Sequence, residues 1–441
     1  MTDQGFTRRS SYGPTSPTIG TRGARTRQQI MDAASDAFVE RGFHATSIEE
    51  IAARADTSRA TLYQYFESKD AIFIELMIES GDNLIRMTRQ LRSLGPTAEG
   101  YQQLAVWVRG WVANYDRHAP MFIEWQNVLA PASPLRPAVV RFNEAFWRKI
   151  AKEITKGGHP DRPALVSAQL VTSTLQRYNY IRHVFRPGLS DEQFIAALTV
   201  ALQRYLFPMT PLDVLVTDPL GDGGVAPPPV HVMGPLAAMP TERTHVADPL
   251  DGLSPQGRAT ATQLIDASRR VFNRHGYDAA NIDQVVAEAG LARGTFYRYF
   301  DNLAELMVPL SVDASTRLTR LFHEFPTACG DPTKLRDWLA RALAVHRHYS
   351  GTLRLWFEGY PLGPELLSTT ADVVIAISDA IQQTFGPSRP YPLARRTAGM
   401  LLAGLIEDFP NEVVGATRAP SDREIVETQA SFIERVILPG S

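Results

Sequence analysis

Cysteine and long hydrophobic runs are nearly absent from this sequence. Cys329 is the only cysteine in 441 residues, which excludes an intrachain disulfide and any metal site made of several thiolates. No apolar stretch approaches the length that crosses a bilayer, and residues 1–21 lack the apolar core of a secretory signal. These absences predict a protein of the reducing cytoplasm that has no membrane partner.

The sequence motifs of common enzyme classes are also missing. We find no Cys/His cluster, no HExxH zinc motif, no G-x-S-x-G nucleophile elbow and no phosphate-cradling glycine loop. The sequence therefore predicts no catalytic residue, no bound metal and no cofactor. The net charge of −2 excludes a polybasic chain, but a nucleic-acid contact surface is a local feature that total charge does not test.

What the chain contains instead is an internal repeat. Residues 30–66 and 264–300 align without a gap at an offset of 276 − 42 = 234, taken from Gly42 and Gly276. The residues of the first copy that recur unchanged at this offset are Asp32, Ala33, Phe38, Gly42, Ala45, Ile48, Ala53, Ala55, Arg59, Thr61, Tyr63, Tyr65 and Phe66. The chain is therefore a tandem of two similar units.

The first helix of the repeat shows apolar periodicity and ends at a glycine. Gly42 suits the left-handed backbone turn that ends many helices. The apolar residues that follow helical spacing before it are Ile30, Ala33, Ala34, Ala37 and Phe38. One face of this helix is therefore expected to be buried.

The second helix is predicted by its N-terminal cap. Ser47 is followed three residues later by Glu50, which predicts a capping box at the start of the helix. In the second copy Asn281 and Gln284 take the same two places. Both copies are therefore expected to begin this helix at the same position.

A tight turn and a third short helix complete the repeat. The second helix ends before Asp56 in one copy and before Gly290 in the other, and both residue types tolerate a positive φ. The third helix is expected to begin near Ser58 and near Ala292. A short helix, a tight turn and another short helix are typical of the helix-turn-helix.

The third helix carries polar side chains suited to DNA. Arginine suits guanine edges, glutamine suits adenine edges, and threonine and tyrosine suit phosphates. The candidate contact residues are Ser58, Arg59, Thr61, Tyr63 and Gln64 in the first copy and Arg293, Thr295, Tyr297 and Arg298 in the second. The alternative is that any short amphipathic helix exposes a few polar residues.

The segments TSRATLYQYFESKDAIF and LARGTFYRYFDNLAELM resemble the TetR family of bacterial regulators. The resemblance covers about fifty residues of each copy and implies a three-helix DNA-binding domain whose third helix enters the major groove. It also implies phosphate contacts from Tyr63, Lys69 and Tyr297, and a further one from Thr46 at the start of the second helix.

The second copy departs from this pattern at three places. Leu303 stands where the first copy has Lys69, and Ala280 stands where it has Thr46. The basic residues that precede the first helix are Arg22, Arg25 and Arg27 in the first copy but only Arg258 in the second. We therefore expect the second module to bind DNA more weakly, since each missing phosphate contact weakens binding.

The remaining sequence predicts an all-α protein with a linker between its two repeats. Residues 208–255 contain ten prolines and five glycines, a level typical of unstructured linkers. The predicted segments are a disordered basic arm (1–21), helix-turn-helix domain 1 (22–68), helical regulatory domain 1 (69–207), the linker (208–255), helix-turn-helix domain 2 (256–302) and helical regulatory domain 2 (303–441).

Aromatic residues cluster in the first regulatory domain. The candidate ligand-binding residues are Trp107, Trp111, Tyr115, Phe122, Trp125 and Tyr178. As a set they are typical of an apolar pocket between helices, although any one of them alone is more typical of an ordinary core. The TetR resemblance favours the pocket, because the family's C-terminal domains usually bind small effectors. An apolar or aromatic small molecule is therefore the expected effector.

The sequence thus predicts a ligand-responsive transcriptional regulator, with repression as the family's usual outcome. Its partners are double-stranded operator DNA and a small effector. The resemblance implies that the last two helices of each regulatory domain form a dimer interface. The two units are therefore expected to form either an intramolecular pseudo-dimer on an asymmetric operator or a homodimer of tandem chains. The alternative function is an interaction scaffold in which one or both DNA-binding modules are inactive.

Overall fold

A computed structural model describes the two repeats and leaves out most of the linker. The described residues are 21–43, 45–123, 135–158, 163–185, 190–215, 250–277, 279–357, 364–385, 395–412 and 419–438. Every regular element within these ranges is a helix, which confirms the predicted all-α fold built from two repeats. The predicted basic arm, except for Thr21, and linker residues 216–249 lie outside the described ranges.

The first unit consists of a three-helix module followed by longer helices. The module contains α1 (Thr21–Arg41), α2 (Ile48–Arg54) and α3 (Arg59–Tyr65). The helices that follow are α4 (Lys69–Gln90), α5 (Ala98–Arg117), α6 (Ala119–Ile123), α7 (Arg136–Lys156), α8 (Ala164–Phe185) and α9 (Asp191–Leu206).

The second unit repeats this order. Its module contains α10 (Pro255–His275), α11 (Ile282–Ala289) and α12 (Arg293–Phe296). The helices that follow are α13 (Leu303–Ala328), α14 (Pro332–His348), α15 (Ser350–Phe357), α16 (Pro364–Phe385), α17 (Arg395–Glu407), α18 (Phe409–Glu412) and α19 (Asp422–Phe432), which continues into a π-helical turn (Ile433–Ile437).

Residues with a positive φ end the helices of both modules. Gly42 and Gly276 adopt φ values of 80° and 79° after α1 and α10. Asp56 (φ 49°) and Gly290 (φ 66°) take the same role after α2 and α11, as the sequence predicted. A left-handed residue there lets the chain reverse within two or three residues and bring the next helix across the previous one.

The predicted capping boxes form in one copy only. Asn281 accepts from the backbone N–H of Gln284, and the Gln284 side chain accepts from the backbone N–H of Asn281. Ser47 likewise accepts from the N–H of Glu50, but the Glu50 carboxylate binds Arg41 and Arg54 instead of reaching back. In the first copy the capping-box prediction was therefore wrong for Glu50, because Arg41 and Arg54 compete for its carboxylate.

Helix α6 connects the first module to the rest of its unit. Met121 is buried in the core of the module, where it joins Ile30, Phe38 and Leu62. The next residue, Phe122, stacks instead on Tyr115 of α5, with ring centroids 4.6 Å apart. A displacement of α6 would therefore change packing both in the module core and in the aromatic core of the regulatory half.

The final helices of the two units contact each other. Tyr205 of α9 packs against Phe432 of α19, with ring centroids 5.4 Å apart. Arg204 donates from Nε to the carbonyl of Arg435 at 3.1 Å, and Arg435 donates from its guanidinium to the carbonyl of Tyr205 at 3.1 Å. Helix α8 packs against α17, α18 and α19. Each arginine thus satisfies a carbonyl in the last turn of the opposite unit, where a helix leaves its carbonyls without internal partners.

Candidate nucleic-acid interface and effector site

The third helix of the first module presents an exposed polar face. Ser58 caps α3 by accepting from the N–H of Thr61 at 3.0 Å, and its hydroxyl lies 2.9 Å from that of Thr61. Arg59 and Gln64 are exposed, and Tyr63 is 43% exposed. The cap hydrogen bond orients the first turn, so Ser58 and Thr61 organise the helix that carries the other polar side chains.

Each third helix carries an arginine held by a carboxylate from the preceding helix. Arg59 lies 2.6 Å from Glu49 and donates to the Tyr63 hydroxyl at 3.4 Å. Arg293 donates to both carboxylate oxygens of Asp283 at 2.8 and 2.9 Å and to the hydroxyl of Tyr297 at 3.3 Å. Glu49 and Asp283 are repeat equivalents, since 283 − 49 = 234. The two modules therefore orient an exposed arginine in the same way.

The third helix of the second module is shorter than the third helix of the first. Helix α12 covers four residues, Arg293–Phe296, and Ala292 supplies no side-chain cap. Tyr297 is nevertheless 48% exposed, and Thr295 and Arg298 lie on the same short segment, where Arg298 is exposed. The second module keeps the polar face, but it lacks the serine that stabilises the helix start in the first module.

The basic residues that precede the two modules occupy different environments. Arg22 and Arg25 are exposed at the start of α1. Arg27 is only 6% exposed, pairs with Glu75 at 2.9 Å and lies over the Phe66 ring. The assignment of Arg27 to a DNA-binding surface is therefore corrected: it joins α1 to α4 in the module core. Arg258 is exposed, but it donates to the carbonyl of Leu250 at 3.0 Å.

Thr46 and Lys69 close the loop between α1 and α2. The Thr46 hydroxyl is buried and donates to the carbonyls of Gly42 at 2.8 Å and Ala37 at 3.2 Å. The Lys69 ammonium donates to the carbonyls of Phe43 at 2.7 Å and Thr46 at 3.0 Å. The phosphate contacts stay predictions, while the structure gives both side chains an internal role. Their absence in the second module removes this loop closure.

Most of the predicted effector-site aromatics lie inside the first regulatory half. Trp107 and Trp111 meet edge to face at 5.6 Å on α5, and Tyr115 stacks on Phe122 one turn further on. Tyr178 packs against Phe194 of α9 instead, at 3.9 Å. All five are buried. Trp125 and the polar residues beside it lie in 124–134, outside the described residues.

Within the described residues, three polar atoms of aromatic side chains along α5 are buried without a hydrogen-bond partner. They are the indole nitrogens of Trp107 and Trp111 and the hydroxyl of Tyr115. Burial raises the pKa of Tyr115 well above its usual value, so the phenol stays protonated and remains a donor. A buried donor without an acceptor costs about 1–3 kcal/mol. The cluster therefore offers three donors, two of them only donors, to any acceptor placed among these rings.

The second regulatory half treats its indoles differently. Trp338 is equivalent to Trp107, because 338 − 107 = 231 and both lie on the second long helix after the module. Its indole nitrogen donates to the carbonyl of Leu321 at 2.6 Å. Trp356 donates to the Ser311 hydroxyl at 3.0 Å. The position of Trp111 is occupied by Ala342 at the same offset. The unpaired indole pair is thus a property of the first unit.

Neither a metal-binding cluster nor a bilayer-spanning helix is found among the described residues. No group of three or more His, Cys, Asp or Glu side chains within them lies close enough to hold a metal ion. Within the same ranges, no helix has the length and apolar character that spanning a bilayer requires. Burial raises the pKa of the Cys329 thiol to about 12, so this thiol stays protonated.

Sequence reasoning missed Glu49, Asp283 and the arginines at the ends of α9 and α19. The two acids could have been found, because they occupy equivalent positions of the repeat and precede the recognition arginines by ten residues. Arg204 and Arg435 carry a weaker signal, since they match only at an offset of 435 − 204 = 231, which differs from the offset of the modules.

Comparison with known proteins finds a similarity to the same family in each of the two modules. The description "Bacterial regulatory proteins, tetR family" matches residues 30–76 and 264–308. The chain is similar to the HTH-type transcriptional activator FasR of Mycolicibacterium smegmatis, with 28% identity over 166 residues that cover 36% of this chain and 74% of that protein.

Two further similarities are more limited. The HTH-type transcriptional repressor SCO4008 of Streptomyces coelicolor is 30% identical over 115 residues, 26% of this chain and 57% of that protein, so the chain spans little more than half of that relative. The solved structure of the fatty acid degradation regulator FadR of Bacillus halodurans matches with 18% identity and a TM-score of 0.35, over 43% of this chain and 96% of that one.

The internal role of Arg27 is tested by an Arg27→Gln substitution. Loss of the guanidinium removes the ion pair with Glu75 in a mostly buried site, so we expect the first module to lose about 2–3 kcal/mol of stability, as for a hydrogen bond to a charged group. Thermal and chemical denaturation measure this loss. Arg22→Gln is the matched control, because Arg22 is exposed and its loss is expected to lower DNA affinity alone. Equal stability of the two variants would contradict the buried role.

The unpaired indoles predict an asymmetry between two equivalent tryptophans. Both Trp107→Phe and Trp338→Phe leave similar cavities, but only the second breaks a hydrogen bond. We therefore expect Trp107→Phe to cost about 1 kcal/mol less of the free energy of unfolding than Trp338→Phe. Denaturant titration of both variants measures the difference. A larger loss for Trp107→Phe would show that its nitrogen is already satisfied.

Proposed function

Since the chain carries two TetR-type modules in tandem, we propose that it is a sequence-specific transcriptional repressor whose two units pair within one chain and read an asymmetric operator. The observation that carries the proposal is the repeated recognition surface. In both modules an arginine and a tyrosine one turn apart, Arg59 with Tyr63 and Arg293 with Tyr297, are exposed on the third helix. Two such surfaces within one chain can read the two half-sites of one duplex.

The contacts between the final helices support pairing within the chain. Arg204 of α9 and Arg435 of the π-helical turn that extends α19 match at the offset of 231, and each donates to the backbone of the other helix end. Such reciprocity, in which residue i contacts j and j contacts i, is the signature of an isologous two-fold interface. Ordinary two-fold regulators assemble this interface from two chains. Here the tether raises the effective concentration of each unit for the other.

The operator proposed for this arrangement has two unlike half-sites. A two-fold reader places its recognition helices about one helical turn, roughly 34 Å, apart on the duplex. The two modules differ at Ser58 and Ala292 and at Gln64 and Arg298, so they present different side chains to the bases. Because glutamine suits adenine and arginine suits guanine, a palindrome would satisfy only one of them.

The effector proposed for the first unit has an apolar body and an acceptor group. The rings of Trp107, Trp111 and Tyr115 supply apolar surface, and their unpaired donors suit a carbonyl, carboxylate or ether oxygen. A ligand that moves Tyr115 also moves its stacking partner Phe122, which is next to Met121 in the core of the first module. Helix α6 is therefore the proposed route from effector to DNA.

The alternative function is supported by the weaker construction of the second module. Helix α12 is short and uncapped, and Leu303 and Ala280 replace the two residues that close the α1–α2 loop in the first module. On this alternative the first module alone binds DNA, and the second unit serves as a structural partner.

The two functions are separated by alanine substitution of the recognition arginines. We expect Arg59→Ala and Arg293→Ala each to weaken binding to an operator selected from random duplexes, by about 1–3 kcal/mol if the guanidinium binds one guanine bidentately. Fluorescence anisotropy titration measures the affinity. Arg109→Ala is the control, because Arg109 is an exposed, ion-paired arginine on α5.

The pattern of losses identifies the function. Loss of affinity in both variants supports the asymmetric operator, and loss in Arg59→Ala alone supports the single-reader alternative. If both variants bind like Arg109→Ala, neither module reads DNA through these residues, and the DNA-binding proposal fails.

A further inference from the structure

A buried cluster of charged side chains lies where α8 of the first unit meets the end of α17 of the second. The Arg177 guanidinium lies 2.8 Å from the Glu407 carboxylate, and the two side chains are only 8% and 12% exposed. Asp408, which is 4% exposed, accepts from the Ser173 hydroxyl at 3.3 Å. Arg177 of the first unit supplies the positive charge of this cluster, and Glu407 and Asp408 of the second unit supply its negative charge.

The residues of this cluster occupy equivalent positions in the two units. Helices α8 and α17 align at an offset of 408 − 177 = 231, the same offset that relates Arg204 to Arg435. Apolar positions agree at this offset: Leu170 matches Leu401, and Leu175 matches Ile406. The charged cluster matches as Ser173 with Gly404, Gln176 with Glu407 and Arg177 with Asp408.

The contacts follow the two-fold relation between these positions. Ser173 meets Asp408, and the reciprocal pair is Arg177 with Gly404. A Cβ at Gly404 would lie 2.9 Å from Cγ of Arg177, so the glycine leaves the space that the arginine side chain crosses. The second unit thus meets two needs of Arg177. Gly404 has no side chain and leaves room for the arginine, and Glu407 supplies the opposite charge.

Pairing of two identical units would violate both conditions. Two first units would bury two Arg177 side chains together, opposite Ser173 in place of glycine and Gln176 in place of glutamate. Two second units would bring Glu407 and Asp408 of each copy together with no arginine between them. A charge that is buried without its partner is strongly destabilising, and like charges facing each other disfavour a wrong pair.

We propose that the cluster of Arg177, Ser173, Gly404, Glu407 and Asp408 is a selectivity surface that makes a first unit pair with a second unit and reject a copy of itself. The proposal rests on the pairing of units put forward above and adds which partner each surface accepts. If like units paired, the first unit of one molecule would bind the first unit of another, and its second unit would bind the second unit of a third molecule. The cluster therefore keeps the tandem chain from forming open chains of molecules.

The test uses the whole chain with a protease site inserted between residues 216 and 249. After cleavage the two fragments differ in mass, so native mass spectrometry resolves all three pairings after dilution and reconcentration. For the unsubstituted protein we expect pairs of one first and one second unit only. With Arg177→Gln, Glu407→Gln and Asp408→Asn combined, the charges are gone, and homotypic pairs should rise toward the random proportion, roughly half of all pairs.

A control and a second measurement complete the test. Arg109→Gln with Glu192→Gln removes an exposed ion pair and should leave pairing as selective as before. In the uncleaved chain, Arg177→Gln alone should lower the unfolding midpoint more than the triple substitution does, because it leaves buried acids unpaired. Random pairing of the unsubstituted fragments, or undiminished selectivity in the triple variant, would overturn the proposal.

The proposed function is tested independently of this outcome. The uncleaved chain with all three substitutions should still bind operator DNA, because the tether keeps the two units together and the third helix of each module is unchanged. Loss of selectivity with operator binding retained therefore supports the selectivity surface. Operator binding that is absent even in the unsubstituted protein would count against the DNA-binding function alone.

Discussion

The contact between the final helices of the two units is the constraint on which the rest of this structure depends. Helix α8 meets α17 and α19, and Arg204 and Arg435 exchange hydrogen bonds with opposite helix ends. Helix ends leave carbonyls that must be satisfied from outside, so these hydrogen bonds give two otherwise ordinary apolar faces a defined register. In the function proposed here, that register sets the spacing of the two recognition helices and therefore the spacing of the half-sites that one chain can read.

Charge within this contact acts on specificity more than on stability. Taking Arg177 and Glu407 out of water is costly, and burial raises the pKa of the Glu407 carboxyl to about 7 even though Arg177 opposes the shift. Apolar side chains at the same positions would hold the helices together at least as well, but they would not distinguish one unit from the other. The same division recurs in the first regulatory half, where buried indole donors without acceptors cost stability and, in the function proposed here, suit a ligand with an acceptor oxygen.

Local patterns were sufficient to predict most of the fold. The cap and turn residues predicted where α2 and α11 begin and end, and the repeat located both modules. The roles of Arg27, Thr46 and Lys69 were not predictable in this way. Each is decided by a partner distant in sequence, such as Glu75 for Arg27 or the Phe43 carbonyl for Lys69, and an arginine in a basic run gives no sign of being buried. The selectivity surface escaped for the same reason, because its residues lie more than two hundred positions apart.

The central claim is that one chain supplies both halves of the DNA reader, and the mass of the protein in solution tests it most directly. Light scattering coupled to size exclusion measures this mass for the free protein and for its complex with operator DNA. At low micromolar concentration the account predicts a free mass near that of one chain, 48.9 kDa, and one chain on each operator. A free mass near twice that value, with two chains on each operator, would contradict it.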